Sequence, residues 1–245
     1  MTSFVDVWRI SLKTCSLEIP TLHTLLDSAE QTRANRFRKE RDRRRFVIGR
    51  GALRQLIRNY TGISPERVRF NTLPGGKPIL RPLPLGDDGG SLKNAFDLKF
   101  NLSHCDDVVL IAFSDRDVGI DIEKVVSHDD IQRVANQFFT VDEAQRIGQL
   151  EGFEKTFNFF RTWVRKEAYV KATGLGFALD PATFRVSDDA IGKVTLQEDN
   201  GASRLDELFT VHDLTEAGEH VAAIALSGCT GAPAIHYRHW HEVTT

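Results

Sequence analysis

The chain runs through the same succession of elements twice, and that duplication limits the folds open to it. "RGALRQLIRNYTG" (50–62), "VRFNTLPGGKPIL" (68–80) and "DDVVLIAFSD" (106–115) recur in order as "VRKEAYVKATG" (164–174), "FRVSDDAIGKVTL" (184–196) and "EHVAAIALSG" (219–228). Each set reads as a helix ending in Thr-Gly, a strand pair around a Gly-Lys turn, and a strand of form V-x-x-I-A-x-S. Gly62 aligns with Gly174, Gly76 with Gly192 and Ile111 with Ile224, at offsets of 112, 116 and 113 residues. A register kept this closely argues for one α+β unit used twice. Two such halves packed together leave a cleft at their junction, a favoured place for a ligand.

Other elements fill in around the repeat. "VDVWRISL" predicts a first strand, and residues 21–60 predict helix, the longest stretch running from Arg41 to Tyr60 with Gly62 as a C-cap. "PLPLGDDGGSLKNA" is a loop by composition, and "LKFNLSHCDDVVLIAFSDRDVGIDIEKV" predicts three strands in quick succession. "DDIQRVANQFF" predicts a helix, "TVDE" a capping box from Thr140 to Glu143, and a long helix is expected from about Glu154 to Thr173. Strands and turns are expected in the tail, in "TFRVSDDAIGKVTL", "LFTVHDL" and "EHVAAIALSG".

Composition narrows the class. With 245 residues, 41% hydrophobic and 27% charged, the chain has material for a sizeable core. A net charge of -2 excludes polyanion binding by bulk charge, so any basic function is local. Cys15, Cys105 and Cys229 form neither a CxxC pair nor a disulfide framework, which points to a reducing compartment. The N-terminus lacks a signal-peptide pattern, and no apolar run approaches the roughly 18 residues of a membrane span. A cytoplasmic protein with no membrane partner is expected.

Several residues are placed to carry chemistry. In "GIDIEKV", strand alternation puts Asp121 and Glu123 on one side and Ile120 and Ile122 on the other. Neighbouring carboxylates repel, so either open solvent on an edge strand or a hard divalent cation should offset them. In "WVRKEAYVKATG", Trp163, Glu167 and Lys171 fall at i, i+4 and i+8, close to one line of a helix. Glu167 and Lys171 alone could be a surface ion pair, but a tryptophan on the same line calls for burial. That makes Glu167 a candidate third carboxylate and Lys171 a candidate phosphate contact.

The segment Arg33–Arg54 holds ten Lys/Arg against Glu40 and Asp42, either a solvated face or an anion site. It offers Phe37 and Phe46 and few other stacking aromatics, which disfavours nucleic acid. "GGKP" pairs Gly75 and Gly76, which permit close backbone approach, with the charge of Lys77. In "FNLSHC", His104 follows Ser103 at a strand end. A P-loop, a GxGxxG, a Ser/His/Asp order and a Cys/His metal cluster are all missing from the sequence. A three-carboxylate metal site, scattered phosphate contacts and a central cleft together describe phosphoryl-type transfer on a polyphosphate substrate.

In this order, "GGKP", "FNLSHC", "GIDIE" and "WVRKEAYVKATGLG" closely resemble the 4'-phosphopantetheinyl transferases of the surfactin-synthetase-activating (Sfp) type. The resemblance runs from the "NRF…RRRF" region through "GLGFALDPATFRV". It implies a pseudo-dimer of two similar α+β halves, divided as 1–115 and 116–245, with coenzyme A bound between them. The implied reaction moves the phosphopantetheine arm of coenzyme A onto a serine of an apo acyl or peptidyl carrier protein and releases adenosine 3',5'-bisphosphate. It implies Mg²⁺ on Asp121, Glu123 and Glu167, and Lys171 on the coenzyme A phosphates, with Glu167, Lys171 and His104 as the catalytic set. Ser103 and His104 correspond to phosphate contacts, Gly76, Lys77 and Pro78 to the adenine-side loop, and Arg33 and Arg45 to basic residues near the 3'-phosphate. A monomer is expected, since one chain carries both halves. Fatty-acid, polyketide and peptide-synthetase carriers all remain open. Arg44 stands where relatives often carry histidine, Phe46 where a hydroxyl side chain can reach the 3'-phosphate, and Cys105 where serine is common. Ile122 offers a metal no oxygen, so water would take that position.

Overall fold

The computed structural model describes residues 4–81, 98–197, 203–215, 219–228 and 233–240. The loop expected at "PLPLGDDGGSLKNA" lies outside the described residues.

The duplication is visible element by element. The first unit comprises β1 (Val5–Ser11), α1 (Ile19–Thr24), α2 (Ser28–Asn35), α3 (Glu40–Thr61), the hairpin β2 (Phe70–Thr72) and β3 (Pro78–Leu80), β4 (Lys99–Cys105) and β5 (Val108–Ser114). The second comprises β6 (Val118–Lys124), α4 (Ile131–Phe138), α5 (Val141–Gly148), α6 (Gly152–Thr173), β7 (Phe184–Val186), β8 (Gly192–Gln197), β9 (Ser203–Leu214) and β10 (His220–Ser227). With β11 (Ile235–His239) added, one sheet has the order β11-β1-β5-β4 and the other β6-β10-β9-β8-β7, so β1-β5-β4 answers to β6-β10-β9. The helices α3 and α6 are both 22 residues long and stop on left-handed glycines, Gly62 at φ 73° and Gly174 at φ 71°. Only glycine takes that conformation at no steric cost, which is why Thr-Gly closes each helix.

Strand alternation sorts the core into layers. Val5, Val7, Val108 and Leu110 of the first sheet share a core with Ile120, Ile122, Ala222 and Ile224 of the second. The opposite faces carry the helices. Ile48, Leu53 and Ile57 of α3 pack on Trp8, Ile10 and Ile111, and Val164, Ala168 and Ala172 of α6 join Val211, Ala223 and Ala225. Each fully buried Val, Leu or Ile side chain among these contributes roughly 1.5–3 kcal/mol. Phe139, Ile147, Phe159 and Phe160 tie α4 and α5 to the first turns of α6.

Three features add to or depart from the expectations. The helical region expected at 21–60 is divided into α1, α2 and α3, the last being the long stretch expected from Arg41 to Tyr60, because Asp27 caps α2 in a capping box with Glu30 and Lys39 is extended before α3. Two cations of the Arg33–Arg54 segment, Arg54 and Arg50, belong neither to a solvated face nor to an anion site. Arg54 is fully buried, donates to Glu30 and Asp27 at 2.7 and 2.8 Å, and also bonds the Pro65 and Val68 carbonyls; Arg50 takes the other oxygen of Glu30. Finally, β11 (Ile235–His239) pairs parallel with β1, from Val5 opposite Ile235 to Arg9 opposite His239, and so returns the end of the chain to the first sheet. The Thr140–Glu143 capping box forms as expected. Among the described residues no helix is long and apolar enough to cross a membrane.

Candidate active site

Helix α6 crosses β6 at Gly119, where a Cβ would lie 2.1 Å from the Ala168 carbonyl oxygen and 2.3 Å from the Ala172 nitrogen. Glycine therefore lets helix and strand touch backbone to backbone. Alternation from Gly119 carries Asp121 and Glu123 to the same α6-facing side, while Ile120 and Ile122 sink between the sheets. Though β6 edges its sheet, Asp121 is only 4% exposed, so the open-solvent alternative does not hold for it.

Lys171 Nζ donates to Asp121 Oδ1 at 2.6 Å and to Ser103 Oγ at 3.2 Å, and the Ser103 hydroxyl donates to the same Asp121 oxygen at 2.7 Å. Three elements, β4, β6 and α6, thus meet in one charged triad that joins the two halves. Asn101, not singled out from the sequence, adds a second tie: its Oδ1 accepts the Ile120 backbone N–H at 2.9 Å on the outer edge of β6.

The Trp163–Glu167–Lys171 line faces a cavity of about 710 Å³. Gly75, Gly76, Lys77, Pro78, Asn101 and Leu102 form one wall, and Phe138, Trp163, Glu167, Val170 and Lys171 form another. Gly174, Gly176, Phe177, Leu179, Asp180 and Pro181 complete it, a wall that "GLGFALDP" signals only through its glycines. Trp163 packs edge-on against Phe138 and stacks with Phe159, as the sequence line required.

Electrostatics grade across the site. Burial first, and then Asp121, hold the Glu123 carboxyl above its ordinary value. Burial likewise raises Glu167, with Lys171 pulling it down and Asp121 pushing it up. Cys105 donates its thiol to Glu123 at 3.7 Å, and burial and Glu123 push that thiol up to about 11. His104 stands exposed at the end of β4, yet the protein packed around its ring and then the Arg45 cation push it below its ordinary value. It is therefore a neutral imidazole at pH 7. Arg45 donates to the Asp106 carbonyl at 3.3 Å while its Nε is buried without a hydrogen-bond partner. Asp106 itself sits at φ 48°, held by Arg41 at 2.9 Å. Arg33 is not drawn into this group; its guanidinium lies 5.0 Å over the Phe46 ring.

The donor set suits a hard divalent cation. Asp121 Oδ2 is buried with no hydrogen-bond partner, and the carboxyls of Glu123 and Glu167 are raised by burial first and by the Asp121 charge as well. Among the described residues, however, no group of three or more His, Cys, Asp or Glu side chains is gathered to hold an ion unaided. Water or substrate oxygens would have to complete any coordination shell.

The repeat and the "GGKP" turn also need adjusting at one level. Gly76 takes φ 87°, whereas Gly192, its counterpart, begins β8 at an ordinary φ and is glycine because a Cβ would press on Val186 and the Val211 carbonyl. Gly75 does allow a close approach, but to the chain's own backbone: a Cβ there would lie 2.3 Å from the Gly174 oxygen.

Comparison with known proteins gives a consistent result. A family model described as "4'-phosphopantetheinyl transferase superfamily" matches residues 117–225, and one described as "4'-phosphopantetheinyl transferase, N-terminal" matches residues 12–116. The chain is similar to the 4'-phosphopantetheinyl transferase HetI of Nostoc sp. (strain PCC 7120), 39% identical over 175 residues that cover 71% of this chain and 70% of that protein. It is 33% identical to the 4'-phosphopantetheinyl transferase psf-1 of Bacillus pumilus over 187 residues, 76% of this chain and 73% of the relative. It is 27% identical to the 4'-phosphopantetheinyl transferase Sfp of Bacillus subtilis (strain 168) over 174 residues, 71% of each chain.

Proposed function

From the premise that the chain belongs to the 4'-phosphopantetheinyl transferase superfamily, whose members use coenzyme A to modify carrier proteins, we propose how its own residues perform that transfer. The observation that carries the proposal is the placement of Glu167 and Lys171 on the wall of an inter-half cavity, with Lys171 fixed on Asp121 at 2.6 Å. The functional halves are 1–115 and 116–245, and coenzyme A lies in the cavity between them. One chain lines both walls, so a monomer suffices. The substrate is an apo acyl or peptidyl carrier protein of fatty-acid, polyketide or peptide-synthetase type, met in the cytoplasm.

The carrier serine oxygen attacks the β-phosphorus of coenzyme A. The bond from that phosphorus to the bridging oxygen breaks, and adenosine 3',5'-bisphosphate departs. Asp121, Glu123 and Glu167 would hold Mg²⁺, which when bound offsets charge on the pyrophosphate oxygens. Glu167 accepts the serine proton directly or through water. Lys171 directs a fixed ammonium at the leaving phosphate. Neutral His104 donates a hydrogen bond to a phosphate oxygen without adding charge, and Ser103 orients Lys171 and Asp121. The backbone of the turn at Gly76 to Pro78 receives the adenine, and Arg45, with Arg33 further out, takes the 3'-phosphate.

Two outcomes test parts of this scheme. The Arg45 Nε lacks a partner, so Arg45→Ala should shrink the preference for coenzyme A over 3'-dephospho-coenzyme A by roughly tenfold, the usual worth of one charge-assisted hydrogen bond. An unchanged ratio of kcat/KM values would place the 3'-phosphate elsewhere. Phe153 and Phe157 are exposed and stacked at the start of α6, and we assign them to carrier docking; Phe139, by contrast, is core. Phe153→Ser should raise the KM for the carrier and leave that for coenzyme A alone, and equal rises in both would remove docking from this face. A reaction run without carrier separates transfer from hydrolysis: a transferase leaves coenzyme A intact there.

A further inference from the structure

The "GGKP" turn does something other than face the cavity. The β2–β3 hairpin, closed by Leu73 N–H to the Lys77 carbonyl at 2.9 Å, lies against the exit of α6. Gly75 meets the Gly174 oxygen and Gly176 meets the Gly75 oxygen, each at a distance of 2.3 Å from where a Cβ would stand. Side chains at either place would force the two halves apart. Through that contact Lys77 reaches into the second half. Its Nζ donates to the Val118 carbonyl of β6 at 2.8 Å and to the Ala172 carbonyl of α6 at 3.2 Å. Val118 precedes Gly119, where strand and helix touch, and Ala172 follows Lys171.

From this we infer that Lys77 is a positioning residue. Its ammonium staples α6 to β6 beside their crossing at Gly119 and so holds Lys171 in register against Asp121, and it does not contact the substrate. The inference rests on the transferase reading for what Lys171 and Asp121 do, but not for the staple itself. Two carbonyl acceptors fix the ammonium's direction, and its half-buried site leaves it little else to bond. Burial pushes Lys77 down to about 8, with Asp117 pulling up and Lys99 pulling down, as a cation enclosed by carbonyls rather than carboxylates should be. Lys77 shares the cavity wall with Gly76 and Pro78, while its Nζ is directed to the Val118 and Ala172 carbonyls.

The test compares Lys77→Met with wild type, using coenzyme A and 3'-dephospho-coenzyme A with an apo carrier. Misplacing a catalytic group by about an ångström costs up to roughly 10²-fold. The kcat should therefore fall by about tenfold or more, the KM for coenzyme A should stay within about twofold, and the preference between the two nucleotides should be retained. A raised KM with lost preference, or a wild-type kcat, would overturn the staple. Should Lys77→Met fail to fold, acetylation of wild-type lysines by acetic anhydride, read by mass spectrometry, decides instead. Lys77 should resist labelling equally with and without coenzyme A, while Lys171 gains protection from it; ready labelling of Lys77 that coenzyme A blocks would mean direct contact. A wild type inactive on every carrier would sink the transferase reading, and the labelling pattern would still judge the staple.

Discussion

Glu167→Gln should lower turnover by roughly 10²-fold, about 2.7 kcal/mol of transition-state stabilisation, with the fold intact. Were Glu167 only half of a surface ion pair, the change would cost a few tenths of a kcal/mol in stability and no activity. The stability of this variant gives a second signature. Burial raises the Glu167 carboxyl above its ordinary value. Such a group contributes fully below its unfolded value, and that contribution declines as pH rises through the folded one. At neutral pH its charge is therefore a cost in the free protein, and the neutral, isosteric glutamine removes it. The expected variant is slow and at least as stable as wild type at pH 7. Label transfer from coenzyme A and a thermal melt measure both; a fully active variant would remove Glu167 from the chemistry.

Lys166→Met is expected to have the largest effect on stability. Lys166 neighbours Glu167 but points to the other side of α6, where it is 2% exposed. Its Nζ pairs with Glu143 at 2.7 Å, donates to the Pro181 carbonyl at 2.8 Å and also bonds the Phe184 carbonyl. Glu143, equally buried, accepts the Thr140 N–H of the capping box at 3.0 Å and the Val186 N–H at 3.3 Å. One ammonium thus fastens α5, the cavity wall at Pro181 and β7 to α6. Removing it strands a buried carboxylate, which costs about 3–5 kcal/mol, or roughly 6–20 °C in the melting midpoint for a chain of this size. Adding Glu143→Gln should recover part of the loss, because the stranded charge is gone while the cap remains. A midpoint within about 2 °C of wild type for Lys166→Met alone would mean that solvent reaches the pair.

Local signals carried most of the fold. Gly62 and Gly174 close two helices of equal length because each must turn left-handed, and that requirement is written in the residue itself. The alternation of "GIDIE" and the four-residue spacing of Trp163, Glu167 and Lys171 likewise foretold which side chains share a face. Contacts between distant segments were not legible. The pairing of β11 with β1 joins positions 230 residues apart, and "IHYRH" has no periodicity that names its partner. The inward reach of Lys77 depends on where Val118 and Ala172 come to rest, 41 and 95 residues along. The burial of Arg54 depends in the same way on Asp27 and Glu30 of another helix. Charge in a sequence says that a partner is needed and not which one is supplied. That is also why the ten cations between Arg33 and Arg54 read as a solvated face or an anion site when Arg54 and Arg50 are committed to Glu30.

The intact mass of apo carrier proteins, measured after incubation with this chain, coenzyme A and Mg²⁺, tests the central claim most directly. At least one fatty-acid, polyketide or peptide-synthetase carrier should gain the mass of one phosphopantetheine arm on its serine, with an equal amount of adenosine 3',5'-bisphosphate released. Consumption of coenzyme A with every carrier mass unchanged, or no reaction across such a panel, would contradict it.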